Sequence, residues 1–293
     1  MKIQAKFSDI CFKIFLLLLA VLCVFPFLTV LLASFTSEEG ILKYGYTLIP
    51  REPDLVSYKL IFSDPTQILG AYKLTIIVTL VGTVLGMIIM TTCAYVMSRD
   101  DFKYKKFLSF FVYFTMLFSG GTVASYIWIA RFLKMLNSIW ALILPIMVSA
   151  YNIFILRVAC KAVPFSLIES AKLDGANEIY IFVKIVVPLT KTGIATIAVL
   201  TTFTFWNDWY QSMLFMDTSD QSTLQYYLVR MLDNVSFAKK NAAMFGGINA
   251  FGNVPDEGIQ MAACVLAAGP MLCVFPFFQK YFVSGITVGS VKG

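Results

Sequence analysis

Long uninterrupted apolar stretches are the feature that most limits how this chain can fold. A helix needs about 20 apolar residues to cross the hydrocarbon core of a bilayer. Five stretches reach this length, namely Ile10 to Ala33, Leu74 to Met97, Phe107 to Ala130, Ile139 to Ala159 and Ile259 to Phe278. A sixth, Ile181 to Phe205, has polar residues and Pro188 near its start, so its membrane part should begin near Pro188. The sequence therefore predicts an all-α integral membrane protein with six transmembrane helices.

The composition supports a membrane location. Hydrophobic residues make up 59% of the chain and charged residues 14%, whereas soluble domains average about half and about a quarter. The first apolar stretch is longer than the core of a secretory signal and lacks a clear cleavage site. We therefore expect it to be retained as an anchor.

The distribution of Lys and Arg predicts the orientation of the chain in the membrane. With the N-terminus inside, 14 of the 23 cationic residues lie on inner segments and nine on outer segments. Because cationic loops stay cytoplasmic, both termini and the loop at residues 164–188 are expected in the cytoplasm. The net charge of +6 follows from this asymmetry, and it gives no reason to expect nucleic acid as a partner.

Residue content excludes several kinds of catalytic site. The chain has no histidine, which excludes His-based zinc sites and Ser-His-Asp triads. It has no Gly-Lys dipeptide, so it lacks a phosphate-binding P-loop. The apolar centres of the spans offer neither an ionisable coupling site nor the paired carboxylates of an intramembrane enzyme. We expect no catalytic residue, metal site or cofactor in this chain.

The polar loop at residues 164–188 carries the most specific pattern. Ser166 and Glu169 have the spacing of a capping box, which predicts a helix start near Ser166. Gly175 should end that helix because glycine tolerates the left-handed conformation, and Asn177 could cap a second helix. The 164–188 loop is thus predicted to form two short helices at an angle. The alternative is an ordinary helix-turn-helix loop in which Glu169 only caps its own helix.

The 164–188 loop also resembles the cytoplasmic coupling loop of ABC importer permeases. Glu169, Ser170 and Ala171 occupy the family's Glu-Ala-Ala triplet, Gly175 its glycine, and Val187-Pro188 its late Leu-Pro. Ser170 departs from the consensus but keeps a small residue. The resemblance implies a type I ABC importer transmembrane fold in which this loop docks on an ATP-hydrolysing subunit. The implied coupling residues are Glu169, Ser170, Ala171, Asp174 and Gly175.

Two further stretches resemble the carbohydrate branch of that family. Phe118 to Gly121 resembles a pattern of permeases for complex oligosaccharides and polysaccharide fragments. The C-terminal residues from Gln279 onward resemble the end of the maltose system's second membrane subunit, which implies that Val291, Lys292 and Gly293 contact the ATPase. The implied domains are residues 1–71 with the first helix and outer segment, residues 72–280 with the ABC type I transmembrane domain, and the cytoplasmic tail 281–293.

The same resemblance implies a set of partners in the plasma (inner) membrane of a bacterium. They are a homologous permease subunit, two ATP-binding cassette subunits that hold ATP and Mg²⁺, an extracytoplasmic solute-binding protein and an oligosaccharide. An ABC permease for amino acids or peptides is the alternative within the family. A self-contained ion-coupled transporter is the alternative from a different class.

Amide and aromatic side chains are the candidates for a substrate pathway. Sugars are commonly held by aromatic faces and by planar polar groups that bond hydroxyls. Trp206, Asn207 and Trp209 lie where the fifth predicted helix meets the outer side, while Tyr151 and Asn152 lie midway along the fourth. A buried amide needs hydrogen-bond partners, which favours Asn207 over the aromatic residues. Interfacial Trp belts and Asn hydrogen bonds between helices are the structural alternatives.

Overall fold

The computed structural model describes residues 2–217, 221–244 and 256–290, which are mostly helical. The helices are α1 (Lys2–Ala33), α2 (Glu38–Tyr44), α3 (Val56–Ile61), α4 (Pro65–Ser98), α5 (Lys105–Leu117), α6 (Gly121–Ile127), α7 (Ile139–Ile143), α8 (Ala150–Lys161), α9 (Phe165–Leu173), α10 (Glu178–Ile181), α11 (Val187–Leu189), α12 (Lys191–Trp206), α13 (Tyr210–Phe215), α14 (Leu224–Met244) and α15 (Glu257–Ser290). Two π-helical segments, Trp128–Phe132 and Phe182–Val186, follow α6 and α10. The prediction of an all-α chain is confirmed.

Three helices are long and apolar enough to cross a membrane, at Ile10–Ala33, Pro65–Ser98 and Glu257–Pro276. Two bent pairs qualify if each pair is counted as one span, namely Lys105–Leu117 with Gly121–Phe132 and Glu178–Leu189 with Lys191–Trp206. By length and composition, the described residues therefore hold three candidate spans, or up to five. In α1, none of the most apolar window is buried by the rest of the chain.

Two of the predicted spans are bent. The third bends by 112° between Leu117 and Gly121, where Gly121 adopts a φ of +77° that other residues rarely tolerate. The fifth bends by 82° at Thr190, and its straight part, α12, begins at Lys191. This start lies three residues after Pro188, close to the place that the sequence predicted.

The fourth predicted span, Ile139 to Ala159, is not one continuous helix. Helix α7 ends at Ile143 and α8 begins at Ala150, so residues 144–149 separate them. Pro145 lies in this break and cannot supply the N–H that a continuing helix requires. Ser149 then caps α8 by accepting a hydrogen bond from the Asn152 N–H at 3.4 Å. Tyr151 and Asn152 consequently lie in the first turn of a helix rather than midway along one.

The chain forms two compact units, the first from residues up to 68 together with 228–270, and the second from 69–227 together with the residues from 271 onward. In the first unit, the segment after α1 is linked to the start of α15 by hydrogen bonds. The Glu38 carboxylate accepts hydrogen bonds from the N–H groups of Glu257 and Gly258 at 3.4 and 3.1 Å. A carboxylate at this end of a helix is stabilised by the helix dipole.

In the second unit, two glycines let neighbouring segments approach the backbone of α4 closely. A Cβ added at Gly82 would lie 2.3 Å from the buried ring of Phe205. A Cβ added at Gly86 would lie 2.5 Å from the carbonyl oxygen of Met147, in the break between α7 and α8. The two glycines have the small-xxx-small spacing that favours close helix contacts in membranes. The spacing of Gly82 and Gly86 is visible in the sequence and could have indicated this contact.

Replacing Gly86 with Ala should lower the thermal unfolding temperature of the chain purified in detergent. The added methyl group meets a backbone oxygen, which cannot move aside as a flexible side chain can, and overpacking of this kind costs about 1–3 kcal/mol. The matched control is Gly269→Ala in α15, where the added Cβ meets nothing in the described chain within 4 Å. Equal unfolding temperatures for Gly86→Ala and the unsubstituted chain would contradict the close approach.

Candidate functional site

The 164–188 loop folds as two short helices, α9 and α10, joined by a tight turn. Helix α9 begins at Phe165 with Pro164 at its N-cap, and no side chain caps it. The predicted capping box was therefore wrong. Ser166 lies inside the first turn, because the helix begins at Phe165, directly after Pro164 with its extended ψ of 127°. Glu169 is exposed on α9.

The turn between α9 and α10 confirms the predicted roles of Gly175 and Asn177. Gly175 has a φ of +81° and donates its N–H to the Lys172 carbonyl at 3.0 Å, while Ala176 donates to Ala171 at 2.9 Å. These two bonds form the Schellman motif that closes a helix at glycine. The Asn177 side chain then accepts the Tyr180 N–H at 2.8 Å and caps α10. The turn geometry therefore follows from local sequence.

Apolar packing holds one face of the 164–188 loop against the helical core. Ile168 on α9 and Ile181 on α10 are buried in the same hydrophobic cluster as Leu156 and Met97. The opposite face of the loop forms an open groove of about 690 Å³. Its lining includes four of the predicted coupling residues. Among the described residues, those that line it are Leu167, Ser170, Ala171, Asp174, Gly175, Ala176, Asn177, Tyr180, Lys184 and Ile185. The fifth predicted residue, Glu169, is not part of this lining.

Four charged side chains, which we call the ion-pair cluster, join the 164–188 loop to the end of α4. The Arg99 guanidinium donates to both Asp101 carboxylate oxygens at 2.9 and 2.6 Å. The Lys172 Nζ lies 2.8 Å from Asp101 Oδ2 and 2.9 Å from Glu178 Oε1. The Tyr95 hydroxyl donates to Glu178 Oε2 at 2.6 Å. No sequence pattern indicates this cluster, because its members come from separate segments of the chain.

The electrostatics of the cluster favour the charged forms. Hydrogen bonds from Arg99 and Lys172 hold the pKa of Asp101 well below its usual range. Bonds to Asp101 and Glu178 raise the pKa of Lys172. Only Arg99 is buried, with 6% of its side chain exposed, while the other three are 39–54% exposed. Exposed ion pairs contribute about 0–1 kcal/mol each, so the cluster orients its segments more than it stabilises them.

A second site is a cavity of about 550 Å³ in the unit formed around residues 69–227. It brings together two of the predicted pathway residues, Asn152 from the start of α8 and Asn207 from the end of α12. The lining residues in the described part of the chain are uncharged, namely Met90, Ile146, Met147, Ser149, Asn152, Leu200, Thr201, Phe203, Thr204 and Asn207. We call it the Asn152–Asn207 cavity. Such a lining can exchange hydrogen bonds with a polar, uncharged ligand surface.

The predicted aromatic residues do not line this cavity. Trp206 is buried in the core at the end of α12. Trp209 and Tyr151 are exposed, and 62% of the Tyr151 side chain is accessible. The structure therefore separates the two amides from the three aromatic residues. The predicted tail contacts, Val291, Lys292 and Gly293, lie outside the described residues.

Asp208, which follows Asn207, is a partly buried carboxylate that the sequence analysis did not single out. Its Oδ2 accepts the Gln211 N–H at 3.2 Å, and its carbonyl oxygen accepts the Thr223 hydroxyl at 3.2 Å. Burial raises the pKa of Asp208 to about 6, although hydrogen bonds from the Gln211 and Tyr210 N–H groups oppose this shift.

The family of the chain follows from comparison with known proteins. A family model described as "Binding-protein-dependent transport system inner membrane component" matches residues 101–288, which is more than half of the chain. The chain belongs to this family. The matched region contains the whole 164–188 loop and both amides of the Asn152–Asn207 cavity. The ABC importer permease family that the loop resembles is thereby confirmed.

Individual relatives cover almost the whole length of this ABC permease. It is 39% identical over 95% of its length to the polygalacturonan/rhamnogalacturonan transport system permease protein of Bacillus subtilis, of which 96% is covered. It is 28% identical to the arabinooligosaccharides transport system permease protein of Halalkalibacterium halodurans, over 94% of this chain and 93% of that protein.

A solved structure matches the fold of the permease. A chain of a bacterial ABC transporter involved in the import of the acidic polysaccharide alginate superposes with a TM-score of 0.77 and 25% sequence identity. The match covers 95% of this permease and 98% of that chain. Together with the family match, this likeness establishes the type I ABC importer fold.

Protonation of Asp208 should make folding stability depend on pH. The pKa of Asp208 rises from an ordinary value of 3.8 to about 6 in the folded permease, so the folded state binds more protons between these values. Stability should therefore fall as pH rises from about 4 to about 6 and then level. Asp208→Asn keeps an acceptor for Gln211 but cannot ionise, so it should flatten this fall and raise the unfolding temperature near neutral pH.

The measurement is the thermal unfolding temperature of the purified permease across this pH range. Asp217→Asn, which changes an exposed carboxylate nearby, is the matched control and should leave the pH dependence of the unsubstituted chain intact. Parallel curves for Asp208→Asn and the unsubstituted permease would show that Asp208 does not titrate in this range.

Proposed function

We propose that this permease is one membrane subunit of an ATP-driven importer for an oligosaccharide or a polysaccharide fragment. The observation that carries the proposal is its 39% identity, over 95% of the chain, to a permease named for polygalacturonan and rhamnogalacturonan transport. Import of amino acids or peptides is the alternative within the family, and the sugar-named relatives argue against it.

The proposed topology has six spans in the plasma membrane of a bacterium, with both termini in the cytoplasm. The spans are α1, α4, α5 with α6, α7 with α8, α10 to α12, and α15. The excess of Lys and Arg on the inner segments supports this orientation. Residues 1–71 form the first helix and outer segment, residues 72–280 the transmembrane domain, and residues 281–293 the cytoplasmic tail.

The proposed partners supply the functions for which this chain has no site. A homologous permease completes the passage, and an extracytoplasmic binding protein delivers the sugar. Two ATP-binding cassette subunits bind ATP and Mg²⁺, because the sequence has no P-loop of its own. The permease itself holds no cofactor and carries out no chemical step. Its C-terminal residues Val291, Lys292 and Gly293 contact the ATPase.

In this proposal the 164–188 loop transmits the movement of the ATPase subunits. Glu169, Ser170, Ala171, Asp174 and Gly175 contact the ATPase, and four of them already line one groove. The buried Ile168 and Ile181 connect the loop to the helical core. Closure of the ATPase dimer therefore moves α9 and α10 together with the membrane helices as a rigid body.

The substrate passes the Asn152–Asn207 cavity. The two amides and the hydroxyls of Ser149, Thr201 and Thr204 hydrogen-bond the hydroxyl groups of the sugar. Trp206, Trp209 and Tyr151 do not line this cavity, which leaves the amides as the better-supported pathway residues.

The complex with its ATPase and binding protein, reconstituted in lipid vesicles, tests the proposed function. ATP hydrolysis should rise when the binding protein is added with one class of oligosaccharide from a panel, and that sugar should enter the vesicles. The absence of any associated ATPase, together with transport by this chain alone, would overturn the proposal and favour an ion-coupled transporter.

The same preparation tests the role of the loop. Gly175→Ala forces an alanine into a left-handed conformation that costs about 1–2 kcal/mol, and Ala171→Leu adds bulk to the groove. Both variants should keep hydrolysing ATP while sugar transport falls. The control is Gly45→Ala, which places a Cβ at another positive φ, +71°, just after α2. Its ψ of −167° lies in a region that is almost exclusive to glycine, so the backbone strain there should be no smaller. Normal transport by both loop variants would refute the coupling role.

Removing either amide should weaken transport without removing hydrolysis. Each of Asn152→Ala and Asn207→Ala deletes hydrogen bonds of about 0.5–1.5 kcal/mol, so the apparent KM for sugar should rise roughly 2- to 10-fold. Tyr151→Phe removes a hydroxyl from the neighbouring residue outside the cavity and should leave the KM unchanged. If the two Ala variants and Tyr151→Phe give the same KM, the cavity is not part of the pathway.

A further inference from the structure

The ion-pair cluster is a polar connection between the 164–188 loop and α4, beside the hydrogen bond from Tyr95 to Glu178. Lys172, at the end of α9, and Glu178, at the start of α10, both belong to that loop. Asp101 and Arg99 belong to the segment that follows α4. Lys172 lies within 2.9 Å of both carboxylates, so it joins the two loop helices to Asp101 at a single point.

The two ends of this connection differ in their exposure to solvent. Arg99 is buried beneath the cluster and lies over the rings of Tyr95 and Phe165, at 5.7 and 5.8 Å from their centroids. Lys172 and Asp101 lie at the rim, partly in water. Because Arg99 is buried, it keeps the cluster attached to α4. The bonds between Lys172 and Asp101 are partly exposed to water, so they can break and form again.

One group of the cluster lacks a hydrogen bond in this arrangement. In the described part of the chain, no acceptor pairs with the buried Nη1 of Arg99. Glu178 Oε1 lies 3.5 Å from the neighbouring Nη2, at the edge of hydrogen-bond distance. The contact between Arg99 and Glu178 is therefore the longest ion pair of the cluster.

Helix α4 leads from the cluster to the Asn152–Asn207 cavity. Met90 lines that cavity, and it precedes Arg99 by nine residues, or about 14 Å along a helix. The Met90 sulfur accepts the N–H of Ser149, another lining residue, at 3.5 Å. The contact of Gly86 with the Met147 carbonyl ties the same part of α4 to the break between α7 and α8.

We infer that Asp101 is a positioning residue for transport, because its bonds to Lys172 transmit movement of the 164–188 loop to α4 and so to the Asn152–Asn207 cavity. The inference rests on the proposed function, and it adds a residue outside the loop to the coupling machinery. Apolar packing of Ile168 and Ile181 holds the loop in place whether or not the ion pair forms. The Asp101–Lys172 ion pair therefore affects how movement passes from the loop to α4, and it does not decide whether the loop folds.

The test compares Asp101→Asn with Asp100→Asn in the reconstituted complex. Asp100 is the adjacent carboxylate, and it pairs with Lys105 on its own side of the connection and not with the loop. Asp101→Asn should leave ATP hydrolysis within about twofold of the unsubstituted complex but lower sugar transported per ATP roughly fivefold or more, the lower end of typical coupling between sites. Asp100→Asn should change neither quantity, and Asp101→Glu should recover most of the transport ratio.

A double-substitution comparison separates transmission through Lys172 from an effect on Arg99 alone. If Asp101 acts through Lys172, then Asp101→Asn should lower the ratio no further in a Lys172→Met background. If the double variant instead lowers the sugar transported per ATP by the product of the two single effects, the inference is overturned. An unchanged transport ratio in Asp101→Asn would also overturn it, as would loss of the ATPase subunits from that variant during purification, because the cluster would then serve docking only.

Failure of this inference is distinct from failure of the proposed function. An unsubstituted complex without hydrolysis stimulated by the binding protein and sugar contradicts the importer itself. An unsubstituted complex that couples normally, beside an Asp101→Asn variant that couples equally well, contradicts only the role of Asp101.

Discussion

The hydrocarbon interior of a bilayer supplies no hydrogen bonds to the backbone, and this constraint decides where the helices of the permease can break. Irregular backbone at membrane depth is tolerated where protein buries it or where it lines a cavity. In the proposed fourth span, the break at residues 144–149 fits this rule, because Ile146, Met147 and Ser149 line the Asn152–Asn207 cavity. At the 82° bend at Thr190, the Thr190 hydroxyl donates a hydrogen bond to the Val186 carbonyl at 2.7 Å. This bond satisfies a carbonyl group that precedes the bend.

Features set by neighbouring residues could be predicted from the sequence. Apolar length predicted the candidate spans, and the turn at Gly175 and the cap at Asn177 followed from their own chemistry. The capping box at Ser166 was wrong because the helix begins at Phe165, which leaves Ser166 inside the first turn rather than at the N-cap. The fourth span was predicted as continuous because its apolar character outweighed the break at Pro145. Local sequence rules therefore predicted these features except at the start of α9 and at the break near Pro145.

Features set by distant residues could not be predicted in the same way. Asp101 and Lys172 are 71 residues apart, and neither has a sequence pattern that names its partner. Asn152 and Asn207 were each predicted from the cost of burying an amide, but Asn207 is exposed, and only the fold brings the two residues to one cavity. The close approach at Gly86 could be predicted only in part. Its spacing from Gly82 indicates a close helix contact, but the sequence does not identify the Met147 carbonyl as the contacting group.

The uncharged lining of the Asn152–Asn207 cavity has a consequence for how long a solute would stay there. Amides and hydroxyls form neutral hydrogen bonds, which are about half as strong as bonds to ionised groups. A passage works only if entry is favourable and release is still easy. A lining of neutral groups gives a short dwell time to a polar solute, since each bond to the wall is readily exchanged for one to water. The lining residues thus favour turnover over storage.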